Sequence, residues 1–248
     1  DDALAFTQAA DETGIPIILQ AGPSCRAHTP IPILGKMFRY LASQTKTNIC
    51  CHVDHGYTLD ECYEGIDSGF TSVMFDGSKL TLKENIKISK KIASRAHKYN
   101  ISIEGEIGFV GYDNGKISEG TNIEDAVTFA NKSNIDAMAI SVGNTHLQTS
   151  KKASIDFNKI NLIEAKTKIP LVLHGSSGIP VEQRKKLARK TKVAKLNIGT
   201  EIRMTFGEAL RKNLKNNPKT YDRLQLLKPT IKDLTKVTKK IIKQIGPN

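Results

Sequence analysis

Short apolar runs alternate with stretches of helical period along most of this 248-residue chain. The runs are IPIILQA (15–21), NICCHVDH (48–55), SVMFDG (72–77), ISIEGEIG (101–108), AMAISVG (137–143), PLVLHG (170–175) and KLNIGT (195–200). Helix-period segments lie between them at about 33–45, 59–68, 81–98, 123–133, 158–166 and 181–189. The opening DDALAFTQAADETG reads as an amphipathic helix stopped at Gly14. The closing KPTIKDLTKVTKKIIKQIG reads as a basic amphipathic helix packed on the domain. Strand-helix alternation with nearly continuous apolar strands predicts a parallel sheet covered by helices.

Polar residues and glycines gather where these runs end: Asp54-His55-Gly56, Asp76-Gly77, Glu104 to Glu106, Gly143 to His146, His174-Gly175 and Asn197 to Thr200. In parallel α/β folds that edge carries the chemistry. About 250 residues is the usual size of an eightfold β/α barrel. Seven strands are counted here, and the chain begins inside a helix with no strand before it. A barrel would therefore lack its first strand, as one N-terminally incomplete domain over 1–248.

The stretch CHVDHG (51–56) ends a buried strand in several titratable groups, which is costly unless they are paired or reactive. Of six histidines, His55, His146 and His174 each fall at or just beyond a different strand end. Three imidazoles converging from three strands make a nitrogen-ligand site with an open position, the pattern of a catalytic zinc. Strand alternation alone does not choose His55 over His52, because His52 shares a face with Asp54.

The motifs CHVDHG (51–56), SVMFDGS (72–78), EGEIG (104–108), SVGNTH (141–146), VLHGSSGIP (172–180) and KLNIGTEIR (195–203) occur in an order and spacing that resemble the class II, metal-dependent ketose-bisphosphate aldolases. The group includes fructose- and tagatose-bisphosphate aldolases, and the resemblance runs from about residue 15 to 225. It implies an α/β fold of the (β/α)8 TIM-barrel type and a zinc-dependent aldehyde-lyase. The reaction implied is cleavage of fructose 1,6-bisphosphate to dihydroxyacetone phosphate and glyceraldehyde 3-phosphate.

By the same resemblance His55, His146 and His174 match the zinc ligands and Asp54 the catalytic acid/base. Asp76 and Glu106 match carboxylates beside the metal, which either hold a second divalent or monovalent cation or orient the histidines. Gly175, Ser177 and Gly178 match a loop that cradles phosphate, and Asn197, Gly199 and Thr200 its partner loop. FVGYDNGKISEGT (109–121) matches a lid with a proton-shuttling carboxylate, for which Glu119 is the candidate and Asp113 the rival. Two departures stand out. Leu147 follows His146 where the family usually has glycine, which bears on the sugar pocket, and QAGPSC leaves Ser24 displaced from the family's serine. Tagatose bisphosphate or a deoxy-ketogluconate phosphate is the alternative substrate, and a non-catalytic polyanion-binding barrel the alternative class.

The net charge of +12 does not redirect this reading. The lysines are spread over helix faces and aromatics make up only 6%, whereas nucleic-acid binders interleave the two. No apolar run approaches a membrane span. Cys25, Cys50, Cys51 and Cys62 show no C-x-x-C spacing, which fits a reduced, cytoplasmic protein. The expected partners are a sugar-phosphate substrate and, from the resemblance, further copies of the chain in a homodimer or homotetramer, with no nucleic acid and no membrane.

Overall fold

The computed structural model describes residues 1–112, 115 and 118–246. Seven strands, β1 (Ile17–Ala21), β2 (Ile49–Gly56), β3 (Ser72–Phe75), β4 (Ser102–Ile107), β5 (Ala137–Ile140), β6 (Leu171–Leu173) and β7 (Val193–Leu196), form one parallel sheet in chain order. The helices are α1 (Asp2–Thr13), α2 (Pro23–His28), α3 (Ile31–Ser43), α4 (Leu59–Asp67), α5 (Leu82–Ala96), α6 (Ile123–Ser133), α7 (Phe157–Lys166), α8 (Val181–Lys190), α9 (Thr200–Asn216), α10 (Arg223–Leu227) and α11 (Thr230–Ile245). The seven-strand count and the parallel arrangement agree with the hydrophobic pattern.

Local chemistry explains most boundaries. Gly14 ends α1 in a left-handed conformation with its N–H on the Ala10 carbonyl. Thr58 and Thr81 open α4 and α5 with complete capping boxes to Glu61 and Glu84. The last strand departs from expectation: it spans Val193–Leu196 rather than 195–200. Asn197 to Gly199 form an irregular connection, and Thr200 already begins α9, a helix the apolar pattern leaves unmarked because only Ile202 of it is buried. The short α2 is likewise absent from the expected elements.

Alternation divides each strand between two environments. Cys51 and Val53, Val73 and Phe75, Met138 and Ile140, and Leu171 and Leu173 face the helices and join the main apolar core. Their neighbours His52, Asp54, Glu104, Lys195 and Asn197 turn the other way. There Lys195 Nζ on β7 lies 2.8 Å from Glu104 on β4 and 3.4 Å from His52 on β2. Asn197 Nδ2 lies 3.0 Å from Asp54 Oδ1. Side-chain contact between β2 and β7, with four strands between them in the sheet, requires the sheet to curl into most of a barrel. Among the described residues β1 and β7 do not pair with each other. The basic helix α11 packs on α1 and α9 through Leu234 and Ile241 against Ala5 and Ile202, as a packed rather than a free helix.

Candidate metal and phosphate site

Three ring nitrogens, one each from His55, His146 and His174, lie within 4.8 Å of one another. The ring centroids are 4.5 Å apart for His55 and His174, 5.3 Å for His55 and His146, and 5.7 Å for His146 and His174. Each ring arrives by a different route. His174 follows the inward parity of β6. His146 stands six residues beyond β5, where its N–H bonds to the Gly111 carbonyl at 2.8 Å and its ring stacks on Tyr112 at 5.1 Å. His55 breaks the parity of β2. The β2–β3 register slips between Val53 and Gly56, and His55 takes a left-handed φ of 53°, so consecutive residues Asp54 and His55 both face the site.

Carboxylates surround these rings. His55 Nδ1 is 2.9 Å from Asp76 Oδ2 and 3.8 Å from Glu106 Oε2. His55, Asp76 and Glu106 form a second group with ligand atoms within 4.8 Å, sharing His55 with the first. His174 Nε2 bonds to Glu104 Oε1 at 2.9 Å, and the other Glu104 oxygen bonds to Lys195. Nδ1 of His174 is left buried without a hydrogen bond, 3.2 Å from Glu106 Oε2, which is equally unpartnered. An orphaned ring nitrogen and an orphaned carboxylate oxygen aimed at one spot, beside two further imidazoles, suit a divalent cation that displaces the ring proton. Glu104 and Lys195 were not expected at the site. The signal was the i, i+2 pair Glu104 and Glu106 on one strand, which must share the inward face.

The titration of the cluster follows from burial and from these neighbours. Burial, with the charges of His174 and His55 added, pushes the His146 pKa down to about 3, so its ring is neutral throughout the neutral range. Burial opposes charge on His174 and His55 as well. There, however, the carboxylates of Glu104 and Glu106 around His174, and of Asp54, Asp76 and Glu106 around His55, outweigh it and raise both. Burial works against ionising Asp54, but His55, Lys195, His174 and His52 overcome it and hold its carboxyl below the usual range. Asp54 is thus ionised near neutral pH, with Asn197 at Oδ1 and Gln20 Nε2 3.4 Å from Oδ2.

The expected phosphate loops lie beside this cluster and are stitched together. Ser176 N–H donates to the Asn197 carbonyl at 3.0 Å, and Ser177 Oγ accepts from Glu201 N–H at 3.1 Å. The buried Arg184 donates to the Ser177 carbonyl at 2.8 Å and to Glu201 at 2.6 Å. Gly175 has φ 62°, and a Cβ there would stand 2.2 Å from the Thr145 carbonyl oxygen, so only glycine fits. Gly178 leaves room for Gln148, whose Oε1 would be 1.8 Å from a Cβ at that position. The N–H groups of Gly175 and Ser177 have no acceptor among the described residues. They adjoin the N-terminus of the 17-residue α9, capped by Gly199 and begun by Thr200.

Glu119 is exposed, and its N–H is tied to the Phe109 carbonyl at 2.9 Å. Asp113 lies outside the described residues. Leu147, beside His146, is exposed and has φ 60°, a left-handed conformation that favours glycine.

The model of the family Fructose-bisphosphate aldolase class-II matches residues 1–248. The chain is 33% identical over 248 residues to 6-phospho-5-dehydro-2-deoxy-D-gluconate aldolase of Halalkalibacterium halodurans, covering 96% of this chain and 84% of that protein. It is 31% identical over 249 residues to fructose-bisphosphate aldolase of Staphylococcus aureus, covering 98% and 87%. Its fold is similar to the crystal structure of the YdjI aldolase of Escherichia coli K12, with a TM-score of 0.84 and 25% identity over 99% of this chain and 87% of that one.

Proposed function

Since the chain belongs to the class II fructose-bisphosphate aldolase family of aldehyde-lyases, we propose that it cleaves the C3–C4 bond of fructose 1,6-bisphosphate with zinc held by His55, His146 and His174. The products are dihydroxyacetone phosphate and glyceraldehyde 3-phosphate. The supporting observation is the convergence of three imidazoles beside an ionised aspartate. Bound zinc supplies a Lewis acid that polarises the substrate carbonyl and stabilises charge on its oxygen.

The chain's own groups do the rest. Asp54 takes the C4 hydroxyl proton as the bond breaks and returns it in the reverse condensation, as a positioned general base and acid. Its Asn197 partner holds the carboxylate while leaving it ionised. Glu104 binds Nε2 of His174 and thereby directs Nδ1 to the metal position. Asp76 and Glu106, with His55, offer a place for a second cation. Gly175, Ser177, Gly199 and Thr200 receive a substrate phosphate on backbone N–H groups at the helix start, and Gly178, whose N–H is held by the Gly175 carbonyl, shapes the loop around it. Glu119, on the loop after β4, is the candidate for returning a proton to the three-carbon product. The poorly buried α9 suits a homodimer or homotetramer, and the four free cysteines suit a cytoplasmic setting.

Exhaustive chelation is expected to abolish cleavage, with zinc or cobalt restoring it. Cleavage by metal-free protein would overturn the reading. A second substrate, 6-phospho-5-dehydro-2-deoxy-D-gluconate, is favoured by the name of the H. halodurans relative. Coupled assays over a sugar-phosphate panel separate the two by kcat/KM.

A further inference from the structure

Asp54 and His55 lie near the end of β2, where the pairing with β3 is interrupted. The register slips there, His55 is left-handed, and both residues are buried, so their carbonyls need donors from elsewhere. Arg26 supplies them. Its side chain, 5% exposed, rises from α2, and Nη1 donates to the Asp54 carbonyl and, at 2.7 Å, to the Ala21 carbonyl that ends β1. Nη2 donates to the His55 carbonyl at 2.9 Å and lies 3.5 Å from Glu61 Oε1. On the far side of the same turn, Glu61 Oε2 accepts from the N–H groups of Tyr57 at 2.7 Å and Thr58 at 3.2 Å. Residues 54–58 are therefore gripped from both directions by one buried guanidinium and the carboxylate beside it.

We propose that Arg26 is a positioning residue for the metal centre, its planar fork spanning the successive carbonyls of Asp54 and His55 and so holding acid/base and metal ligand in register. This rests on the reading of His55 as a ligand. Arg26 touches neither substrate nor metal; it acts through the backbone. A guanidinium suits the task because its donors are fixed in a plane and can meet two carbonyls together. A lysine ammonium is a point charge on a flexible stem.

The test compares the full chain with Arg26→Lys and Arg26→Ala, each verified as folded by circular dichroism at the assay temperature. Zinc affinity is read by competition with a chromophoric chelator, and the cobalt-substituted proteins by their visible spectra. Arg26→Ala is expected to bind zinc about 10–100-fold more weakly, the range for losing a group that orients a ligand. It should also shift the cobalt bands and lower kcat more than it raises KM. Added guanidinium ion should recover part of the zinc affinity, and Arg26→Lys should fall between the other two. Zinc affinity within twofold of wild type in both variants, with unchanged cobalt bands, overturns the inference. If Arg26→Ala does not fold, a folded Arg26→Lys with wild-type affinity and spectrum overturns it equally. Failure of the wild-type chain itself to bind zinc overturns the metal-site reading instead.

Discussion

The end of β2 and the start of α9 face each other across the site but are built from different material. On the proposed reading the working atoms at β2 are side chains, Asp54 and His55, whose placement depends on Arg26, on Glu61, and on Met74 and Asp76, from three other segments. At α9 the proposed phosphate donors are backbone N–H groups, whose direction follows from the short helical turn Ser176–Gly178 and a helix start. Groups that must shed or carry protons are thus held by long-range contacts, which tune charge as well as position. Groups that only receive an anion need no tuning, because a backbone N–H does not titrate. One consequence is that damage to the β2 side should reach metal and turnover, whereas damage to the α9 side should reach substrate affinity alone.

Replacing His174 by Ala gives the largest expected effect. Bound zinc should be lost, and with it the several kcal/mol of Lewis-acid stabilisation, about 10³-fold or more in kcat/KM. Metal analysis beside kinetics checks it. Asp54→Ala should keep zinc while kcat falls by about 10²–10⁴-fold. Full turnover in that variant removes Asp54 from its role.

The pH dependence of zinc binding probes the side-chain half directly. His55 and His174 have raised pKa values in the metal-free protein, so they carry protons that the metal must displace. Zinc affinity should therefore strengthen as pH rises, by up to about tenfold per unit for each proton released. His146, neutral above about pH 3, adds nothing to that slope. The same sign governs stability. The charged His174 stabilises the metal-free fold fully below its unfolded pKa of about 6.5, and this contribution fades as pH rises through the raised folded value. Calorimetric titration in buffers of different ionisation enthalpy counts the protons, and an affinity flat between pH 6 and 8 contradicts the assignment.

On the backbone side, Ser177→Ala removes the Oγ that ties the glycine loop to α9 through Glu201. One hydrogen bond is worth about 1 kcal/mol, so KM should rise about fivefold with zinc content unchanged. Loss of zinc in this variant would show that the two halves are not separable. The smallest effect belongs to Leu147→Gly. Relief of the left-handed strain, offset by the entropy of glycine, should stabilise the protein by at most about 1 kcal/mol, read as a small rise in Tm.

Strand parity is consistent with Asp54, Glu104, Glu106 and His174 sharing one face, but Glu104 and Lys195 join the site only in the folded structure. Apolar neighbours must go to the helices and nothing else can share the inner side. Capping residues and glycines likewise announce α1, α4, α5 and the turn at Gly175, because those signals act within a few residues. His55 and His146 are different. The first needs a register slip between β2 and β3 and a guanidinium from α2, and the second a loop folded onto Gly111 and Tyr112. Neither arrangement leaves a periodic trace, and α9 left none either, since a helix that buries one side chain has no apolar stripe. The chain alone thus determined the seven strands, their order and most of the helices between them. Only the closed-up tertiary structure decided which imidazoles meet, because that rests on contacts between residues far apart in sequence, whose energies no local pattern records.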